Sequence, residues 1–204
     1  MIDILAVFIT FFAVIDPIGT IPVFIAVTAQ YDQKTKRRVA LMATTVSAGV
    51  LLFFLVVGEI VLTALSIPLP AFQISGGIVL FLFALNMIFG ESKPDEEIKT
   101  LQNSHKETAI FPLAVPSIAS PGAMLAAVLL TKNSIYTPWE QTQTALVMLS
   151  VLILVYLLML LSGFIDRLIG KSGASVISRV MGLILSSIAI TNILTGFSDY
   201  YKLL

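Results

Sequence analysis

Two apolar stretches of this chain are interrupted by prolines five residues apart, Asp16-Pro17-Ile18-Gly19-Thr20-Ile21-Pro22 and Pro116-Ser117-Ile118-Ala119-Ser120-Pro121-Gly122. A break inside a hydrophobic helix frees backbone N–H and C=O groups, which is costly if lipid surrounds them. Such a break belongs where protein or a watery cavity covers it, and a matched pair, one in each half, points to the binding site of a transporter. After each break a half-helix restarts, near Thr20 to Gln30 and near Pro121 to Leu130. Its free N–H groups and partial positive charge suit a carboxylate. The half-helices before the breaks end near Ile15 and Val115 and turn carbonyls toward the same region, where an ammonium is stabilised. Opposed ends at mid-membrane therefore suit a zwitterion. Gly19, Ser120 and Gly122 keep the backbone approachable and leave little room for a large side chain. Thr20, Ser117 and Ser120 offer hydroxyls, and Pro17 and Pro121 open the two restarted half-helices.

Asp16 admits two readings. Asp followed by Pro is a good helix start, the carboxylate capping free N–H groups and the proline taking the first helical position. An ionisable residue near the membrane centre is also a functional candidate, as a proton carrier or an ammonium ligand. Glu59, the other acid well inside an apolar stretch, reads as a snorkelling or interhelical carboxylate, or as an outer gate or proton relay. Asn86 and Asn192 read as amides tying helices together or facing the site, and Gln73 as a tie alone. Ala40, Thr44 and Ala48 form a small-residue stripe suited to packing. His105, beside Lys106 in a polar stretch, reads as solvated.

These residues must be held by membrane helices. Of 204 residues 57% are hydrophobic and 12% charged, and the mean hydropathy is +0.99, far from a soluble domain. The formal net charge is zero, which suggests no nucleic-acid partner. Without cysteine there are no disulfides or thiolate metal sites. The amino terminus lacks the basic region of a signal peptide, so its first apolar run reads as an uncleaved membrane segment. Six segments of about 20 residues or more are long enough to cross a hydrocarbon core: 2–29, 39–64, 68–90, 108–131, 141–163 and 176–197. Ser66-Ile67-Pro68-Leu69-Pro70 is an uncharged turn. The expected fold is an all-α polytopic membrane domain covering 1–204, with repeat one at 1–90, a cytoplasmic loop at 91–107 and repeat two at 108–204. Ten of the twelve Lys and Arg fall at one end of these segments, around the 1–2, 3–4 and 5–6 connections. The positive-inside rule makes that side cytoplasmic and puts both termini outside. Tyr136, Trp139, Tyr200 and Tyr201 fit the outer aromatic belt.

Three segments per half mean that the halves enter from opposite sides, as inverted repeats with the first and fourth helices discontinuous. Helix 3 carries Ile74-Ser75-Gly76-Gly77, then Asn86 and Gly90. Helix 6 carries Val180-Met181-Gly182, then Asn192 and Gly196, the same order of small residue, amide and glycine.

The two motifs, Asp16-Pro17-Ile18-Gly19-Thr20-Ile21-Pro22-Val23-Phe24 and Pro112-Leu113-Ala114-Val115-Pro116-Ser117-Ile118-Ala119-Ser120-Pro121-Gly122-Ala123, resemble those of the MarC family of integral membrane proteins (the UPF0056 type). The resemblance spans essentially the whole chain, with Ser120 standing where glycine is expected in many relatives. It implies a cytoplasmic-membrane transporter of small neutral amino acids such as glycine, alanine, serine or threonine. The expected mechanism is alternating access around a fixed midplane site. Proton coupling through Asp16 is one expectation and sodium coupling through broken-helix carbonyls a second. An exporter or channel for another small polar solute is the alternative. An enzyme is not expected: one His, no Cys, and only Asp16 and Glu59 as deep acids supply neither a catalytic pair nor a metal cluster. No cofactor is called for.

Overall fold

The structure is a computed structural model and describes residues 2–89, 105–133 and 135–202. Asp3 opens helix α1 (Ile4–Ile15), its carboxylate accepting from the N–H groups of Leu5 and Ala6 at 3.0 and 3.1 Å. Asp16 ends α1 in the left-handed region, and α2 (Pro17–Val27) begins at the next residue. The restart is therefore at Pro17 rather than near Thr20, because proline is already preset for the first helical turn. Asp32 caps α3 (Gln33–Ala64) through the Thr35 N–H at 3.2 Å. That cap moves the helix start back from the expected 39, so Lys34, Lys36, Arg37 and Arg38 lie on its first turns. Ser66, at φ 56, turns the chain into α4 (Leu69–Phe89). The expected loop at 91–107 falls outside the described residues up to 104. His105–Thr108 forms a short helix, α5, rather than loop.

The irregular segment α6 (Ala109–Ile118) follows, then α7 (Pro121–Leu129). Thr137 and Glu140 close a reciprocal capping box at the start of α8 (Pro138–Leu160), with Pro138 in the first turn. Only Leu161 separates α8 from α9 (Ser162–Lys202). The expected 5–6 loop is therefore helical: nothing from Ser162 to Arg179 includes a proline, and polar residues with glycines do not by themselves stop a helix. At about 1.5 Å per residue, the 41 residues of α9 exceed what a bilayer needs, and its membrane-length apolar part is Arg179–Lys202.

No β-strand occurs among the described residues. Among the described residues five stretches are long and apolar enough to cross a membrane: Ile4–Val27, Gln33–Ala64, Leu69–Phe89, Pro138–Leu160 and Arg179–Lys202. A sixth results if Ala109–Ile118 and Pro121–Leu129, bent by 54° at their junction, count as one. The interrupted stretches form the centre. In the most apolar window of Ile4–Val27, 56% of the residues are buried, against 22% to 33% for the other four. Around this centre α1 packs on α8 and α7, and α2 on α9, α8 and α6. In the same way α6 packs on α3, and α7 on α3 and α4, while α4 and α9 run side by side. Phe11, Ile15, Phe24, Leu113, Ile118 and Leu125 fill the interior. The outer faces carry Leu41, Phe53, Val56, Leu82, Leu146 and Leu183, all exposed, as expected where lipid is the neighbour.

Lipid is as apolar as leucine, so these helices are held by close contact rather than by exclusion of water. A Cβ at Gly77 would stand 3.0 Å from the Ala189 carbonyl oxygen, and one at Gly182 would stand 3.0 Å from that of Ala84. At Gly196 the nearest backbone atom is the Pro70 carbonyl oxygen, also at 3.0 Å. Antiparallel α4 and α9 approach because these positions have no side chain.

Candidate functional site

Asp16 makes the first break within a single residue. Its backbone, at φ 51 and ψ 68, closes α1 by an N–H bond to the Phe12 carbonyl at 3.1 Å. Its carboxylate oxygen Oδ1 then accepts the Gly19 N–H at 2.9 Å and so opens α2. Left-handed backbone favours Asp and Asn over most residues, because their short polar groups bond locally. The side chain is only 2% exposed. It occupies the space that a Cβ at Gly19 would need, which is why glycine stands there. The Thr20 hydroxyl donates back to the Asp16 carbonyl at 3.0 Å.

The second break is longer. Phe111 (φ −128, ψ 127) and Val115 (φ −132, ψ 124) leave helical geometry, and each precedes a proline, whose ring disfavours the α region in the preceding residue. The Ala119 N–H reaches the Ala114 carbonyl at 2.8 Å, closing a wider than normal turn. Extended Ser120 then caps α7, its hydroxyl accepting the Ala123 N–H at 3.1 Å, with Pro121 at the first helical position. The equivalent restarts are thus Asp16-Pro17 and Ser120-Pro121.

One bond joins the breaks: the Ser120 hydroxyl donates to the Val14 carbonyl, at the end of α1, at 2.7 Å. The Ser47 hydroxyl on α3 donates to the Ala43 carbonyl at 2.8 Å and to the Ala114 carbonyl at 3.2 Å, holding the irregular segment from a third side. Carbonyls at both breaks are in this way bonded by hydroxyls reaching across the bundle.

Pro17, Gly19, Thr20, Ser117, Ser120 and Gly122 are all buried and Pro121 is half-buried. Two expectations change. Gly122 does not open onto free space, since its Cβ position lies 2.5 Å from Leu80 Cδ1, and Gly19 is covered by Asp16. Both glycines serve protein contacts. The hydroxyls of Thr20 and Ser120 already donate within the fold, whereas that of Ser117 is buried with no hydrogen-bond partner among the described residues. Ser117 is the member of the set whose hydroxyl makes no hydrogen bond among the described residues.

The remaining candidates stand elsewhere. Asn86 is exposed on α4. Asn192 accepts from the Gln73 amide at 3.4 Å, a tie between α4 and α9. Glu59, half-buried near the end of α3, accepts the Asn133 N–H at 2.7 Å and lines a shallow pocket of about 380 Å³ with Ile60, Thr63, Ala64 and Asn133. The packed stripe on α3 is Ala40, Ala43 and Ser47 rather than Ala40, Thr44 and Ala48, the latter two being half-buried. Ser47 was the residue missed; a small polar residue in register with two alanines on one helix face was its signal. Also missed were the Tyr31 to Thr108 hydroxyl bond at 3.1 Å and the Thr131 hydroxyl bond to the Leu55 carbonyl at 3.1 Å.

A centre of interrupted helices within a shell of long apolar ones defines a polytopic helical membrane protein. Residues 1–201 match the family described as "MarC family integral membrane protein", and the chain belongs to that family. It is 32% identical over 202 residues to a UPF0056 membrane protein of Buchnera aphidicola subsp. Schizaphis graminum, covering 99% of this chain and all of the relative. It is 32% identical over 191 residues to the UPF0056 membrane protein MJ1677 of Methanocaldococcus jannaschii, covering 93% of each. To the UPF0056 inner membrane protein YhgN of Escherichia coli it is 30% identical over 202 residues, covering 99% of this chain and all of YhgN. No solved structure matches.

Proposed function

We propose that the chain is a secondary transporter of small neutral amino acids, of the glycine, alanine, serine and threonine class, working by alternating access in the cytoplasmic membrane. The observation that carries this reading is the bond from Ser120 to the Val14 carbonyl, which joins two helix interruptions in the buried centre. Irregular backbone at that depth is tolerated around a bound solute. The positive end of α7, whose cap Ser120 is neutral, suits a carboxylate, and the Asp16 carboxylate with the carbonyls at the ends of α1 and α6 suits an ammonium.

Inverted repeats, with α1–α2 and α6–α7 as the discontinuous first and fourth membrane helices, are supported by the packing. Exchange α1 with α6, α2 with α7, α3 with α8 and α4 with α9. The contacts α1–α8 and α3–α6 trade places, as do α2–α9 with α4–α7, α2–α8 with α3–α7, and α1–α7 with α2–α6. The reciprocal approaches of Gly77 to Ala189 and Gly182 to Ala84 follow the same exchange. Both termini are outside on the positive-inside argument. Asp16 is the candidate for proton coupling, with sodium at the broken-helix carbonyls as the second reading. The chain is read as a carrier and not an enzyme, and needs no cofactor.

The test is counterflow of labelled glycine, alanine, serine and threonine in proteoliposomes, with Ser117→Ala alongside. Gly122→Leu would be ambiguous, since it strikes Leu80. Removing an unpartnered buried hydroxyl does not weaken the fold, so Ser117→Ala should melt at the same or a higher temperature. It should raise the KM for exchange about five-fold, the equivalent of one hydrogen bond. Absence of exchange for all four amino acids by folded protein would overturn the substrate class and favour an exporter or channel for another small polar solute.

A further inference from the structure

Two hydrogen bonds lie at opposite ends of the bundle, and each joins one half of the chain to the other. Tyr31, just past the end of α2, shares its hydroxyl bond with Thr108, at the entry to α6, at 3.1 Å. Glu59, near the end of α3, accepts the N–H of Asn133, just past the end of α7, at 2.7 Å. The Thr131 hydroxyl reinforces the latter end: it donates to the Ala127 carbonyl of its own half-helix at 2.6 Å and shares that proton with the Leu55 carbonyl on α3 at 3.1 Å. Chain direction separates the two places. α1 and α2 run from the first face to the second, so Tyr31 and the start of α6 share the second face. α3 returns, so Glu59 and the end of α7 share the first. Glu59 is twelve residues from Ser47, which holds the central break, or about 18 Å along the helix. Val27, which ends α2 four residues before Tyr31, is eleven residues past Asp16, or about 16 Å along the helix.

The placement repeats itself. Each restarted half-helix, α2 or α7, runs outward from its break, and the residues after its end bond to an element of the opposite half. If the halves rock about the centre, these are the places where they separate first. With both bonds formed, the central residues are buried, as Asp16, Ser117 and Ser120 are here.

We propose that Tyr31–Thr108 and Glu59–Asn133, the latter with Thr131–Leu55, are two latches that close opposite faces of the central site. The proposal rests on the alternating-access reading above and assigns its gates. Glu59 then acts as the outer latch and not as a relay in contact with the centre. The inner latch is a neutral bond between hydroxyls, whereas the outer one is charge-assisted and therefore the stronger.

The absence of cysteine gives a test that needs no transported solute. Ser117→Cys is labelled with a membrane-impermeant maleimide in right-side-out and inside-out vesicles, alone and combined with a latch variant. Tyr31→Phe should raise the labelling rate about five-fold from the cytoplasmic face only. Glu59→Ala should raise it about ten-fold from the outer face only. Thr108→Val and Thr131→Val break the same ends from other residues and should act in the same directions if a first variant folds poorly. Unchanged labelling, or a rise from the same face for both ends, would overturn the latches. Face-specific labelling together with failed counterflow would retain the latches and remove the amino acid substrate, so the two proposals fail separately.

Discussion

Asp16 is both the end of one helix and the start of the next, and both roles restrict what can replace it. Asparagine tolerates left-handed backbone and accepts the Gly19 N–H, so Asp16→Asn should keep the melting temperature in detergent within a few degrees. Asp16→Ala loses the cap, about 1 kcal/mol, and adds about 1–2 kcal/mol of left-handed strain, so it should melt clearly lower. If Asp16 carries the coupling proton, Asp16→Asn should also abolish the pH dependence of uptake while solute exchange persists. A retained pH response in Asp16→Asn would assign the residue to capping alone. Thr144 on α8 offers a comparison: its hydroxyl is buried without a partner among the described residues. Thr144→Val should raise stability by about 1 kcal/mol, measured by thermal unfolding.

At the scale of elements, α4 and α9 show what holds a bundle when water exclusion cannot. Their backbones meet at Gly77 and Gly182, where a Cβ would stand 3.0 Å from a carbonyl oxygen. Backbone cannot yield as a side-chain tip can. Gly182→Val should therefore destabilise by about 1–3 kcal/mol, seen as a lower melting temperature. Gly49, whose Cβ position meets nothing within 4 Å among the described residues beyond its own helix backbone and chain neighbours, is the control: Gly49→Ala should be neutral or stabilising. The α3 to α6 contact depends on a hydroxyl instead. Ser47→Ala removes that contact while the Ala119 N–H still holds the Ala114 carbonyl at 2.8 Å, so it should cost about 0.5–1.5 kcal/mol, the net worth of one hydrogen bond, read as a lower melting temperature.

For the whole molecule, the proposed orientation rests on charge. The basic cluster at the start of α3 opposes the end where Trp139 and Tyr201 are exposed. A single cysteine at Lys34 should react with impermeant reagent only in inside-out vesicles, and one at Asp199 only in right-side-out vesicles. The opposite pattern would reverse the topology and exchange the faces assigned to the two latches.

Composition and the lengths of the apolar runs were sufficient for a polytopic helical membrane protein, because lipid accepts few backbone solutions. The spacing of prolines was sufficient to locate two interruptions, since proline acts on its own backbone and on the residue before it. Local chemistry likewise marked Asp16 as a cap. Tertiary structure alone decided that the interruptions meet, through Ser120 and the carbonyl of Val14. That pairing spans 106 residues and leaves no periodic trace in sequence. It also decided that Gly19 and Gly122 accommodate Asp16 and Leu80, and that Ser47 rather than Thr44 faces the break. A small residue looks alike in sequence whether a ligand, a side chain or a neighbouring backbone occupies the space beside it. Only packing across the bundle determines which.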